Sequence, residues 1–281
     1  MLEVKQEQIQ HYQKNGFVVL PDLLDMAELA TWQRVILHAI EGRSTRLPLN
    51  GEQYEETFRS GGFTENDEYY NKVFMQKINL WKTDSDACRL VLDDRLGQIA
   101  TELAGVQGMR IWLDQALIKE PWSNPTAFHI DVPFWGFTSP DALTIWIALS
   151  DATLTNGSLC YIPGSHRLCE YKNAQVDPNL GALFRLYPEL AQIEPVFCPV
   201  PAGSAVAHNG LTAHGAGANM TPRPRFAMTI AYMPDGSTFN GQQDILTNTQ
   251  VARLTVGDAL DDGEQNPLVY DSRKSGAEIP H

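Results

Sequence analysis

The texture of the chain changes at about residue 109, and that change limits the folds open to it. Before this point apolar residues recur at helical spacing. After it come short β-prone runs punctuated by prolines and glycines. Residues 5–14 read as a helix stopped by Asn15-Gly16, and 17–20 as a strand closed by Pro21. Asp25 is placed to cap a second helix carrying Leu29, Trp32, Val35, Ile36 and Ile40. Residues 86–104 carry a third apolar stripe, Leu90, Leu96, Ile99 and Leu103. Residues 43–70 are polar and contain glycine, and read as a long loop. Candidate strands follow at 110–119, 127–132, 142–149, 159–162, 196–198, 204–208 and 226–233. Helices first and short strands afterwards predict a mainly β sandwich or barrel with a helical flank.

Two candidate strands add a detail. In 142–149, Leu143, Ile145, Ile147 and Leu149 share one face, while Ala142, Thr144, Trp146 and Ala148 share the other. In 225–232 the bulky face is Phe226, Met228, Ile230 and Tyr232, and the other is Arg225, Ala227, Thr229 and Ala231. An ordinary half-buried sheet would carry charge on its second face. Small residues there predict space for a ligand inside the sheets, with the bulky face against a helix layer.

The net charge of −13 argues against nucleic acid or an anionic membrane as partner. The four cysteines, Cys88, Cys160, Cys169 and Cys198, form no C-x-x-C pair and read as buried or idle thiols. The polar start MLEVKQEQIQHYQKNG lacks a signal-peptide apolar region, and no run reaches transmembrane length. A soluble cytoplasmic protein is expected. Its oligomeric state is not legible.

The segment His129-Ile130-Asp131 is the chemical feature that stands out. On a strand, residues i and i+2 face the same way, so both side chains can reach one ion. With a third ligand they would form the two-histidine, one-carboxylate set that holds Fe(II) on one face and leaves the other positions open. His208 and His214 both lie in the downstream segment His208-Asn-Gly-Leu-Thr-Ala-His214-Gly215-Ala216-Gly217-Ala218-Asn219. Arg223 and Arg225 follow it.

Four blocks together resemble the phytanoyl-CoA dioxygenase family of Fe(II)/2-oxoglutarate-dependent oxygenases. They are His129-Ile-Asp131; the strand with Trp146; Asn156-Gly157-Ser158-Leu159 with Pro163-Gly164-Ser165-His166; and His214-Gly-Ala with Asn219 and Arg225. The resemblance spans about residues 10–235. It implies a double-stranded β-helix of jelly-roll, cupin-like topology with flanking N-terminal helices. The whole chain would be one domain, with a helical flank at 1–108, the β-helix core at 109–235 and a C-terminal extension at 236–281. It implies His129, Asp131 and His214 as iron ligands, preferring His214 over His208, and Arg225 as the partner of the far carboxylate of 2-oxoglutarate. Arg225 also begins the strand with the small-residue face, whereas Arg223 stands between two prolines.

Trp146, Thr144, Gln115 and Lys77 match positions that line the 2-oxoglutarate pocket in relatives. Many relatives have serine where Ala216 stands. The resemblance treats His166 as structural. Trp112, Phe134, Trp135 and Phe137 either shape the pocket mouth or belong to the core. The expected activity is an oxygenase using Fe(II), 2-oxoglutarate and O2, hydroxylating, desaturating or cyclising a small molecule and releasing succinate and CO2. Related halogenases have glycine or alanine where Asp131 stands, so the carboxylate argues against halogenation. A catalytically silent member that binds metal or ligand is the alternative. No basic patch suited to the phosphates of coenzyme A is evident, and the substrate is not legible.

Overall fold

The computed structural model describes residues 4–42, 69, 72–172, 174 and 178–275. The long loop expected at 43–70 lies outside the described residues except for Tyr69. Helix α1, Gln6–Asn15, ends at Gly16, whose φ of 82° lets its N–H close on the Tyr12 carbonyl. Strand β1, Phe17–Leu20, leads to α2, Met26–Gly42. The Asp25 carboxylate accepts from the backbone of Ala27 and Glu28, and Glu28 Oε2 accepts from the Asp25 N–H. The cap foreseen at Asp25 is therefore a reciprocal box.

The helix expected at 86–104 is two helices, α3 at Ser85–Val91 and α4 at Asp94–Ala104. Asp84 and Asp93 each cap one of them, and Asp93 interrupts the run by capping the second. The shared apolar stripe conceals that break, because both helices lie on the same core.

The remaining strands are β2 (Met75–Ile78), β3 (Gly108–Lys119), β4 (Thr126–His129), β5 (Leu143–Ala148), β6 (Leu159–Tyr161), β7 (Val196–Cys198), β8 (Ala205–Asn209), β9 (His214–Ala216), β10 (Arg225–Pro234) and β11 (Leu268–Asp271). They form two antiparallel sheets. The larger runs β1-β8-β5-β10-β3-β11, with β2 also paired to β3, and the smaller runs β4-β9-β6-β7. Strands β1, β2 and β11 come from outside 109–235, so both ends of the chain are tied into the large sheet.

The two faces of the large sheet divide as the alternation predicts. Leu143, Ile145, Ile147, Phe226, Met228, Ile230 and Tyr232 join Leu29, Trp32, Ile36, Leu96, Ile99 and Leu103 in one buried cluster. Burying each such side chain contributes about 1.5–3 kcal/mol. The opposite face looks toward the small sheet. Part of that space is filled by Phe17, Trp146, Tyr161, Val206 and Ala227, and part is open. Among the described residues, no helix is long and apolar enough to cross a membrane.

Candidate metal centre and co-substrate pocket

The cavity between the sheets has a volume of about 890 Å³, including its open mouth. Its candidate metal-binding end is built by β4 and β9. His129 and His214 are direct cross-strand partners, which sets their imidazoles side by side with centroids 4.3 Å apart. Gly215 permits this pairing: a Cβ there would lie 2.7 Å from the Thr126 carbonyl oxygen. His129 Nδ1 lies 2.9 Å from the Ala127 carbonyl, and His214 Nδ1 lies 2.9 Å from the Thr212 carbonyl. Both carbonyls accept, so Nδ1 carries the proton and the Nε2 lone pair of each ring is free.

Asp131 does not reach this point by strand alternation. The strand expected to continue to residue 132 ends at His129, and Asp131 has helical backbone angles at the start of a short 3-10 turn, Val132–Phe134. Pro133 suits that turn, and the N–H groups of Asp131 and Val132 both donate to the Gly210 carbonyl. The bend still brings Asp131 Oδ1 to 3.7 Å from His129 Nε2 and 3.8 Å from His214 Nε2. One ligand atom from each of the three residues falls within 4.8 Å of the others. Thr144 Oγ1 donates to the other carboxylate oxygen at 3.0 Å, and His208 Nε2 approaches it at 3.2 Å.

The electrostatics suit a cation. Burial, then the neighbouring His214, pushes the pKa of His129 down to about 4. Burial and the adjacent His208 push that of His214 down to about 4 as well. Burial alone would raise the Asp131 pKa, but His214, the His208 hydrogen bond and His129 outweigh it and hold the carboxyl well below its usual range. Two neutral imidazoles and one carboxylate result at neutral pH, the protonation state a divalent metal requires. Nitrogen and oxygen donors of this kind suit ferrous iron.

Arg225 stands in the same cavity wall. It is 2 % exposed, and its Nε and Nη1 have no hydrogen-bond partner. Its guanidinium lies over the Trp146 ring at 5.1 Å. No carboxylate among the described residues pairs with it. Burial pulls its pKa down to about 10, which leaves it charged at neutral pH. A buried cation with unmet donors fits a carboxylate ligand. Asn219 sets its position: the side-chain amide donates to the Lys119, Glu120 and Arg223 carbonyls, tying the approach to β10 against the end of β3. Arg223 is exposed.

Thr144, Trp146 and Gln115 line the cavity as expected. Lys77 does not. In the β2–β3 pairing Lys77 faces Ala116, while Gln76 faces Leu117, so alternation turns Gln76 inward. Trp112 is also absent from the wall. It is fully buried, donates from Nε1 to Asp244 at 2.8 Å and packs edge-on against Phe137, itself core. Phe134 and Trp135 do line the cavity.

Thr229 also lines the cavity, a position the sequence expectations above do not include. It lies opposite Trp146 and Gln115 in register, and its place on the face of Arg225 was the available signal. Phe74 and Gln76 left no comparable trace. His166 lies 3.2 Å from the Gln13 carbonyl, outside the cavity, and Ser165 beside it accepts from the Ala213 N–H, bracing the approach to β9.

The profile of the phytanoyl-CoA dioxygenase family (PhyH) matches residues 12–227. A phytanoyl-CoA dioxygenase domain-containing protein 1 homolog of Caenorhabditis elegans is 32% identical over 171 residues, which are 58% of this chain and 59% of that protein. The ectoine dioxygenase of Bordetella bronchiseptica is 27% identical over 253 residues, covering 83% and 77%. The crystal structure of SnoK, a non-heme alpha-ketoglutarate-dependent carbocyclase of nogalamycin biosynthesis, superposes with a TM-score of 0.75 at 26% identity, covering 95% of this chain and 96% of that one. The fold is the cupin-like one of Fe/2-oxoglutarate oxygenases. The chain belongs to the phytanoyl-CoA dioxygenase family of iron- and 2-oxoglutarate-dependent oxygenases.

Proposed function

We propose that His129, Asp131 and His214 hold Fe(II), that Arg225 receives the far carboxylate of 2-oxoglutarate, and that the protein oxidises a small molecule. One observation carries this reading. Three ligand atoms converge in a cavity whose wall also holds a buried arginine with unmet donors. The eight strands from β3 to β10, distributed over two facing sheets, support a double-stranded β-helix of jelly-roll type within a single domain.

The chain's own residues orient and exclude. The Ala127 and Thr212 carbonyls keep both Nε2 atoms ready to donate to metal. Thr144 and His208 hold one oxygen of Asp131 and leave the other facing the imidazoles. Trp146, Thr229 and Gln115 flank the space in front of Arg225, while Phe74, Phe134 and Trp135 form an apolar wall that keeps water from the reacting atoms. When bound, iron with 2-oxoglutarate and O2 would supply the oxidising power, with succinate and CO2 as products.

The carboxylate of Asp131 fills the ligand position and supports hydroxylation, desaturation or ring formation rather than halogenation. A small polar metabolite or a natural-product intermediate is the substrate class, in keeping with the ectoine dioxygenase and carbocyclase relatives. The test is succinate release with a panel of such compounds, with mass spectrometry for a gain of one oxygen or a loss of two hydrogens. Asp131→Ala is expected to abolish compound-stimulated succinate formation. Undiminished turnover in that variant overturns the assignment.

A further inference from the structure

Asp131 sits on a turn, not on a strand, so its side chain depends on neighbours for its direction. Those neighbours form a layered support. Thr144 and His208 are cross-strand partners on β5 and β8, and both reach the same oxygen, Asp131 Oδ2. His208 is 2 % exposed, and its second nitrogen, Nδ1, lies 3.0 Å from the hydroxyl of Tyr161, which is fully buried. Phe17 of β1 stacks on the Tyr161 ring at 4.4 Å and 9°. Two hydrogen bonds thus run in series from Tyr161 through His208 to the back of the carboxylate.

We infer that His208 is a positioning residue for the metal centre, fixed in one tautomer by Tyr161, and that it holds Asp131 with Oδ1 forward as a single-oxygen ligand. The inference rests on the metal reading given above. A tyrosine hydroxyl donating to Nδ1 leaves the proton on Nε2, where it is given to Asp131 Oδ2. With Oδ2 occupied by two donors, the carboxylate cannot swing to offer both oxygens, and open positions on the ion are preserved for co-substrate and O2. Histidine at this place is therefore not a spare ligand. Its ring lies 4.4 Å from that of His214, yet its donor nitrogen is spent on the carboxylate. The same geometry explains how the N-terminal flank bears on the site: β1 pairs Phe17 directly with His208 and places its ring against Tyr161.

The test is anaerobic titration of the full chain with Fe(II), then with 2-oxoglutarate, reading metal affinity and the charge-transfer absorption of the ternary complex. His208→Phe keeps an aromatic ring and removes both hydrogen bonds. It is expected to weaken Fe(II) binding about 10–100-fold and to shift the absorption band. His208→Gln retains an N–H donor near the Nε2 position and is expected to recover affinity to within about threefold. Tyr161→Phe keeps the stack on Phe17 and loses only the hydroxyl. It is expected to weaken Fe(II) binding by the folded protein beyond anything its cost to the unfolding temperature of the metal-free protein accounts for. A purely structural role would lower that temperature and leave the affinity of the folded fraction unchanged. Wild-type affinity in either His208→Phe or Tyr161→Phe overturns the inference. If His208→Phe does not fold, wild-type affinity in Tyr161→Phe alone does so. Failure of the wild type itself to bind Fe(II) overturns the metal reading instead.

Discussion

Two parts of one cavity wall differ in how far the protein completes them. At the metal end each atom turned away from the ion site has a partner. Both Nδ1 atoms face carbonyls, and Asp131 Oδ2 faces Thr144 and His208. At the arginine end a buried guanidinium has two nitrogens without any hydrogen-bond partner. On the proposed reading, the protein has prepared the metal end by itself and has left the arginine end to be completed by a ligand. An isolated buried charge is costly, so such a residue persists where binding repays the cost.

Breaking the metal end should have the largest effect. Asp131→Ala removes one of the three proposed ligands and is expected to abolish both Fe(II) binding and succinate formation in the assays above. Next comes the arginine end. Arg225→Met should raise the KM for 2-oxoglutarate by roughly 100-fold, the cost of losing one partner of a buried charge pair. Fe(II) affinity should change little, and the ligand-free protein should be no less stable, because an unsatisfied buried charge is gone. Equal loss of iron and 2-oxoglutarate binding would erase the distinction between the two ends.

A pH series sharpens the comparison further. His129 and His214 titrate at about 4 in the folded chain, against an ordinary 6.5. Between those values the unfolded chain takes up protons that the folded one excludes, so these two imidazoles withdraw stability from the metal-free protein as pH falls from 6.5 to 4, while the buried Asp244 carboxyl, pushed up to about 7, works in the opposite direction. The loss approaches about 3 kcal/mol per imidazole. Chemical denaturation at pH 7 and pH 4.5, comparing the wild type with a His129→Gln, His214→Gln variant, isolates their share, and equal slopes in the two proteins contradict the neutral pair. Arg225, charged throughout this range, contributes nothing to the slope.

Two smaller effects lie outside the cavity. Trp112→Phe leaves the Asp244 carboxyl without its indole donor, and should cost about 1–3 kcal/mol in denaturant unfolding without moving the KM for 2-oxoglutarate. Lys77→Ala should leave that KM within about twofold of wild type, because Lys77 lies on the far side of β2 from the cavity. A large rise in either KM would return that residue to the pocket.

Much of this arrangement is written into local sequence. The alternation in 142–149 and 225–232 marks which face packs on helices and which lines the cavity, because a strand has a period of two whatever it pairs with. Arg225 and Thr229 follow from the same count. Asp25, Asn15 and Gly16 place helix ends through backbone chemistry alone. Harder to see is β9, whose three residues, His-Gly-Ala, carry no strand preference and become a strand by pairing with β4 and β6. The break at Asp93 was hidden by a stripe that both helices share.

The sequence by itself determined the chemistry available: two imidazoles, a carboxylate and an arginine in the order and spacing of a known family, on strands with one small-residue face. Tertiary structure decided which atoms meet. Asp131 reaches the imidazoles through a turn held by Gly210, and Lys77 gives way to Gln76 because the β2–β3 register fixes its parity. Trp112 is drawn into the core by Asp244, 132 residues away in sequence. His208 meets Tyr161 and Asp131 with its two nitrogens, which is the basis for proposing it as a support and not a ligand. Each of these outcomes depends on contacts between segments far apart in the chain, and a residue's local pattern carries no record of its distant partner.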